Sequence, residues 1–160
     1  MTAAHAAALE VAKESYGMLR EALAGLPDEA MDWRPAPDAN PLGVLVLHSI
    51  SATRFWFAAG SGESVSLSTY RNEERAPAFQ AAGKRRTELE AAIDSALPEL
   101  ESLLRQGSAD DLDATCSWPE DPGMTKTGVQ CLMHALAHLR EHVGQAQLTR
   151  DLWLAHAESK

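Results

Sequence analysis

The segment from Pro41 to Ala59 constrains the fold more than any other part of the chain. Its sequence, PLGVLVLHSISATRFWFAA, is apolar on nearly every side when it is wound as a helix. A helix of this kind needs neighbours all round it, as in the centre of a bundle. Its most apolar run, PLGVLVLHSI, is too short to span a bilayer. The segment therefore predicts a buried helix of a helical bundle.

Three other segments have the apolar spacing of amphipathic helices. They run from Ala3 to Leu26, from Ala78 to Gln106 with Pro98 predicted to kink or interrupt the helix, and from an N-cap at Thr125 to Trp153. Residues 107–124 are predicted to form a long irregular connection. Because no segment alternates as a strand does, the sequence predicts an all-α four-helix bundle, with residues 1–160 as a single domain.

Composition excludes several classes of partner. The chain has 160 residues, of which 45% are hydrophobic, and a formal net charge of -9. This charge disfavours nucleic acid and anionic membrane surfaces as partners, and a small-molecule substrate is expected from the candidate metal site described below. The two cysteines, Cys116 and Cys131, follow no secretory signal, so we expect a reducing, cytoplasmic location.

Near the C-terminus, the stretch HALAHLREHVGQ places His134, His138 and His142 one helical turn apart. Imidazoles at i and i+4 can share one metal ion, whereas residues at i and i+8 are about 12 Å apart and cannot. The pair is therefore His134/His138 or His138/His142. The second pair is favoured because it flanks the apolar arc of the helix, which is formed by Val129, Leu132, Leu136, Leu139, Val143 and Ala146.

A third ligand has to come from another helix, and His48 is the best candidate. It lies within LVLHSISA, where a buried imidazole needs partners for both ring nitrogens. A metal ion on one nitrogen and a hydrogen bond on the other would satisfy that need. His5 and His156 lie near the termini and are poor candidates.

Two stretches of the chain together resemble the DinB/YfiT-like superfamily of metalloenzymes. They are LPDEAMDWRPAPDANPLGVLVLHSI and MHALAHLREHVGQ, the second of which contains the pattern H-x-x-x-H-x-G-Q. The resemblance spans nearly the whole chain. The chain differs from the family pattern at Val143, where members usually carry arginine before the glycine.

The resemblance implies an up-down-down-up bundle that holds a divalent ion, most often nickel or zinc, on His48, His138 and His142. Iron or manganese also suits three histidines. His134 would then lie at the rim of the site. Known family activities imply thiol S-transfer and related reactions with bacillithiol, mycothiol or glutathione, and the family also implies a homodimer.

A three-histidine site leaves positions open for a thiol nucleophile or for a hydrolytic water. Trp56 and the Tyr70–Arg75 loop are candidates for the surrounding pocket, in which Arg54, Arg71 and Arg75 could bind carboxylates. The favoured interpretation is nevertheless that Trp56 packs in the core and that the arginines pair with Glu73 and Glu74. Cys131 is predicted to be a core residue rather than a nucleophile.

Two other functions fit the same residues. His138 to His142 also match the zinc-peptidase pattern H-x-x-E-H, with Glu141 as general base. The predicted absence of a strand argues against this reading, because peptidases bind substrate along a strand edge. The other alternative is a non-catalytic stress-response bundle with a vestigial metal site, which would dimerise through helix one and Trp153.

Overall fold

Four long helices build the protein. A computed structural model describes residues 1–159, and its long helices are α1 (Ala3–Leu23), α2 (Leu42–Gly60), α3 (Arg86–Gln106) and α4 (Gly128–Glu158). One hydrophobic cluster draws buried side chains from all four of them. The predicted four-helix bundle is therefore confirmed.

The direction of each helix follows from residue pairs that meet across the bundle. These pairs are Arg20–Asp94 and Lys13–Glu101 between α1 and α3, Gly43–Leu89 and Arg54–Glu99 between α2 and α3, and His48–His138 and Gly60–Leu132 between α2 and α4. Residue numbers run in opposite directions in the first and third sets and in the same direction in the second. The topology is therefore up-down-down-up, as expected.

Helix α2 is the central helix of the bundle. Its residues Leu42–Gly60 have a mean hydropathy of 1.3, and 78% of this stretch is buried inside the protein. It is the one helix among the described residues that is long and apolar enough to cross a membrane. Its contacts with α3 and α4 account for its composition, because a helix enclosed by other helices is apolar on all sides.

The connection before α4 is more ordered than the sequence predicted. It contains a short helix, Ala109–Asp113, and an antiparallel hairpin of β1 (Thr115–Trp118) and β2 (Asp121–Thr127). The prediction that the chain has no strand was therefore wrong. β1 alternates polar and apolar residues, but over only four positions, and Trp118 is its one fully buried side chain, while β2 shows no such alternation.

The helices also differ from the prediction in their boundaries and at Pro98. α3 begins at Arg86 instead of Ala78, because Gly83 takes a left-handed conformation (φ 69°) in the preceding turn. Pro98 lies within α3 without interrupting it. The N-cap of α4 is Thr127, whose side chain accepts a hydrogen bond from the Gln130 N–H, since Thr125 pairs with Ser117 in the hairpin.

The crossing of α2 and α4 requires a glycine at position 60. A Cβ atom at Gly60 would lie 2.7 Å from Leu132 Cδ2 and 2.9 Å from the carbonyl oxygen of Gly128. We expect Gly60→Ala to lower the free energy of unfolding by about 1–3 kcal/mol, the usual effect of overpacking. Chemical denaturation measures this change.

Gly144→Ala is the matched control, because a Cβ there meets nothing within 4 Å on the exposed side of α4. It should stabilise the protein by about 0.5–1 kcal/mol through helix propensity. Equal effects of the two substitutions would show that the close crossing at Gly60 does not limit stability.

Candidate metal centre

Three imidazole rings converge between α2 and α4. The Nε2 atom of His138 lies 3.3 Å from Nε2 of His48 and 3.2 Å from Nε2 of His142. The ligand atoms of all three residues lie within 4.8 Å of one another. The structure thus brings together the three histidines that the sequence singled out, although their role as ligands stays a prediction.

The spacing of these nitrogens fits a metal ion. Ligands at about 2.1 Å from a tetrahedral ion are about 3.4 Å apart. The two Nε2 distances at His138 are close to that value, so little movement would be needed to bring both pairs onto one centre. His48 and His142 are buried and His138 is half-buried, which restricts the directions in which the rings can turn.

The local sequence explains how the rings meet. His138 and His142 are one turn apart on α4, and the antiparallel packing of α2 brings His48 opposite them. The His48 ring also packs on Phe79, with ring centroids 4.5 Å apart. His142 is buried and Val143 beside it lies in the core, as the apolar arc predicted, although Val129 at the start of that arc is 37% exposed.

Gln145 orients one of the three rings, a role that the sequence analysis missed. The Nδ1 of His142 lies 2.8 Å from Gln145 Oε1, which can only accept a hydrogen bond. This contact places the proton on Nδ1 and leaves the lone pair of Nε2 facing the cluster. The signal was present in the sequence, because Gln145 follows His142 by three residues on the same helix.

Two imidazoles of the cluster are in the protonation state that a metal ligand needs. Burial, together with the neighbouring imidazoles, lowers the pKa of His48 to about 3 and the pKa of His138 to about 4. Both rings are therefore neutral at pH 7, and a neutral imidazole is the form that binds a metal ion. Two lone pairs are thus available without prior loss of a proton.

A cavity of about 490 Å³ opens beside the cluster. His48 and His138 line it, while His142 is not part of its wall. The other lining residues are Trp56, Leu67, Tyr70, Arg71, Arg75, Met124 and His134. A small molecule in this cavity would meet two of the three imidazoles directly.

The residues predicted to surround the site divide into two groups. Trp56 is buried and also lines the cavity, so both of its suggested roles hold in part. Arg54 pairs with Glu74 and Glu99 and lies outside the cavity wall. Arg71 and Arg75 line the cavity, but neither pairs with Glu73 or Glu74 within the described part of the chain.

His134 lies in the cavity wall and not in the cluster. Its ring packs against Trp56 at 4.5 Å and lies parallel to His138 at 6.1 Å between centroids. Burial, with a smaller effect of Lys126, lowers its pKa. These contacts agree with the predicted position of His134 at the rim of the site.

The remaining candidates lie elsewhere. His5 is buried near Gly60 and Gly107, and His156 packs on Trp33. Glu141, the base in the peptidase alternative, is exposed, accepts a hydrogen bond from Gln145 and does not line the cavity. Burial raises the pKa of Cys131 to about 12, so this thiol stays protonated and is a core residue.

Comparison with known proteins identifies the family. The profile of the DinB superfamily matches residues 12–146, which is most of the chain. The chain belongs to the DinB superfamily. The likeness inferred from the two sequence stretches is thereby confirmed. No protein of curated function matches this DinB superfamily member.

Solved structures share the fold. A conserved protein from Enterococcus faecalis is 18% identical with a TM-score of 0.75, and the match covers 97% of this chain and 99% of that one. The mycothiol-dependent maleylpyruvate isomerase is 17% identical with a TM-score of 0.62, and the match covers 91% of this chain and 63% of the isomerase. A mutant of that isomerase matches equally well at 15% identity. At these identities the likeness shows the bundle alone.

The Gln145–His142 hydrogen bond gives a test of the site. We expect Gln145→Ala to weaken binding of Zn²⁺ by about 10–100-fold, the usual effect of removing a partner that orients a ligand. Competition with a chromophoric chelator measures this affinity. Gln147→Ala, on an exposed side of the same helix, should leave it unchanged. Equal affinities in the two variants would exclude an orienting role for Gln145.

Proposed function

We propose that this DinB superfamily protein is a metal-dependent enzyme of the thiol S-transferase or hydrolase type. In this proposal His48, His138 and His142 hold one divalent ion. The observation that carries it is the convergence of three imidazole nitrogens beside an open cavity. A structural metal site closes its coordination with protein ligands, whereas three histidines leave room for a substrate or water.

A bound divalent ion would supply a centre that lowers the pKa of a thiol or a water molecule in the cavity. The residues of the chain would hold the ion and orient the substrate. His48 and His138 present neutral nitrogens at the wall, and Gln145 keeps the His142 ring in one tautomer. Trp56, Leu67 and Met124 line the cavity and would pack against the apolar part of a substrate.

Zinc and nickel are the ions we propose, and iron or manganese would also suit the ligands. The thiol is proposed because a bundle of the same fold occurs in the mycothiol-dependent maleylpyruvate isomerase. A low-molecular-weight thiol would enter the cavity and release its proton to solvent water. Its sulfur would then form a bond to an electrophilic carbon, and the bond from that carbon to its leaving group would break, with the leaving group departing as an anion with the bonding electron pair. The thiolate, not the thiol, is the nucleophile in such a step.

The cavity favours this reading over a peptidase. Glu141 lies outside the cavity wall, so a water molecule beside His48 and His138 would have no contact with that carboxylate. The hairpin does provide two strands, which removes the earlier objection that the chain has none. The position of Glu141 outside the cavity is therefore the observation that disfavours a peptidase.

A homodimer and a cytoplasmic location are also part of the proposal. The homodimer rests on the family, and the location rests on the composition.

The experiment compares zinc-loaded and nickel-loaded protein with the metal-free protein. Each is mixed with mycothiol, bacillithiol or glutathione and the electrophile 1-chloro-2,4-dinitrobenzene, and formation of the thioether is followed by absorbance. We expect metal-dependent transfer with at least one thiol, and we expect His142→Ala to lose both the metal and the transfer. Metal binding with no thiol transfer and no hydrolysis would favour the non-catalytic alternative. Cleavage of peptides by the metal-loaded protein would favour the peptidase.

A further inference from the structure

A π-helical turn forms part of the cavity wall. Residues Tyr70–Arg75 form this turn between two short α-helical pieces, Leu67–Thr69 and Ala76–Phe79. The N–H of Ala76 donates to the carbonyl oxygen of Arg71, five residues earlier. π-helical turns are rare, and they occur often at functional sites. The sequence predicted only a polar loop here, so the arrangement is a product of the tertiary structure.

The turn brings residues that are five apart onto one side. In an α-helix, residues five apart differ by about 140° in direction. In the π-helical turn, Tyr70 and Arg75 both line the cavity, together with Arg71. The irregular backbone thus brings one phenol and two guanidinium groups to the space beside His48 and His138.

The arginines in and near this wall differ in whether a carboxylate pairs with them. Arg71 pairs with Asp121, with 3.2 Å between nitrogen and oxygen, and Arg54 nearby is paired with two glutamates. Arg75 has no carboxylate within 4.0 Å among residues 1–159. Its guanidinium carbon lies 4.6 Å from the centre of the Phe79 ring, on which His48 also packs. Arg75 is thus a free cation close to the three-histidine cluster.

No acidic residue lines the cavity, although the chain as a whole has a net charge of -9. Lys126 adds a further positive charge near its wall, 5.8 Å from the Trp56 ring. Asp121, which contacts the wall through Arg71, is neutralised by that ion pair, so an anion entering the cavity would meet the unpaired charge of Arg75 and no carboxylate in the lining. Burial raises the pKa of Tyr70 to about 12, so its hydroxyl stays protonated and is available as a donor.

We propose that Arg75 binds a carboxylate of the substrate, while the three-histidine centre acts on a thiol or electrophilic group a few bonds away. This inference rests on the proposed function, because it specifies the substrate class of the same site. Guanidinium and carboxylate form charge-assisted hydrogen bonds in a forked geometry. The substrate is therefore a small carboxylic acid whose carbon chain lies against Trp56, Leu67 and Met124. Arg75 is the residue that determines this specificity.

The first experiment uses cobalt-loaded protein, since the visible absorbance of Co²⁺ reports ligation by a thiol. Protein at low ionic strength is titrated with 3-mercaptopropionate and with 3-mercaptopropanol, which differ in the carboxylate. We expect the acid to bind about tenfold more tightly than the alcohol. Arg75→Gln should remove this preference, and Arg75→Lys should keep part of it. Arg105→Gln, a matched charge removal on α3 outside the cavity, should keep all of it.

A second experiment needs no metal and separates failure of this inference from failure of the proposed function. Calorimetry of the metal-free protein compares 3-phenylpropionate with 3-phenylpropanol in the wild type and in Arg75→Gln. If no thiol alters the cobalt spectrum, the thiol-transferase form of the proposed function fails, and an Arg75-dependent preference for 3-phenylpropionate would still support the carboxylate site. Equal binding of acid and alcohol in both experiments, or a preference that survives in Arg75→Gln, would overturn the inference.

Discussion

Replacing His138 by alanine should abolish stoichiometric binding of a divalent metal ion. His138 is the central ring of the cluster, since its Nε2 lies within 3.3 Å of the corresponding atoms of both His48 and His142. Loss of a residue that only orients a ligand costs about 10–100-fold in affinity. Loss of a ligand itself should therefore cost more than about 100-fold. Elemental analysis after gel filtration and titration with Zn²⁺ measure the effect.

His134→Ala is the matched control for this prediction. His134 is on the same helix one turn earlier and lines the same cavity, yet it lies outside the cluster. This variant should retain one ion per chain. If it lost the metal while His142→Ala retained it, the ligand pair would be His134 and His138, the other pair that helical spacing allows. Circular dichroism shows whether each variant keeps its helices.

Binding of Zn²⁺ should raise the melting temperature by about 8–16 °C. The ion would bind the folded chain far better than the unfolded one, because His48 and His138 are ninety residues apart and meet only in the fold. A free ion at 1,000 times its dissociation constant stabilises the folded state by about 4.1 kcal/mol. In a chain of this size, each kcal/mol shifts the melting temperature by about 2–4 °C. Differential scanning calorimetry measures the shift.

Removal of the ion with a chelator should return the melting temperature to that of the metal-free protein. The shift should be absent in His138→Ala and intact in His134→Ala. A rise of the same size in His138→Ala would place the stabilising ion at another position and would contradict the proposed centre. No rise in the wild type at saturating Zn²⁺ would show that the cluster does not bind this ion.

The helical bundle could be predicted because its signals are local. The apolar residues from Pro41 to Ala59 indicate a buried helix, and glycine and proline near Gly25 and Pro27 end the first one. The hairpin at 115–127 was missed because it is held by backbone pairing and buries few side chains. The start of α3 was placed too early because the left-handed turn at Gly83 has no helical periodicity to reveal it.

The cluster could be predicted in part. The spacing of His138 and His142 is a property of one helix, so the sequence alone indicated that they could share an ion. His48 was chosen because an imidazole in a buried helix needs polar partners. The contact of Gln145 with His142 was overlooked, although helical spacing allows it.

The charges around the cavity could not be predicted. In the sequence, Arg54, Arg71 and Arg75 were equal candidates for binding a carboxylate. Only their neighbours in the fold distinguish them. Arg54 pairs with Glu99 on α3, and Arg71 pairs with Asp121 of the hairpin. Arg75 is left beside Phe79 and the cluster. Each pairing joins residues from different elements, so it depends on how those elements pack.

By itself, the sequence determined that the chain forms a four-helix bundle and that two neighbouring turns of one helix carry a histidine pair. Those properties come from periodicity, which acts over a few residues. Only the tertiary structure decided that His48 meets that pair and that Arg75 faces the cavity without a carboxylate partner. These features join residues far apart in the chain, and their positions follow from close packing of the helices and from the π-helical turn, neither of which has a local sequence signal.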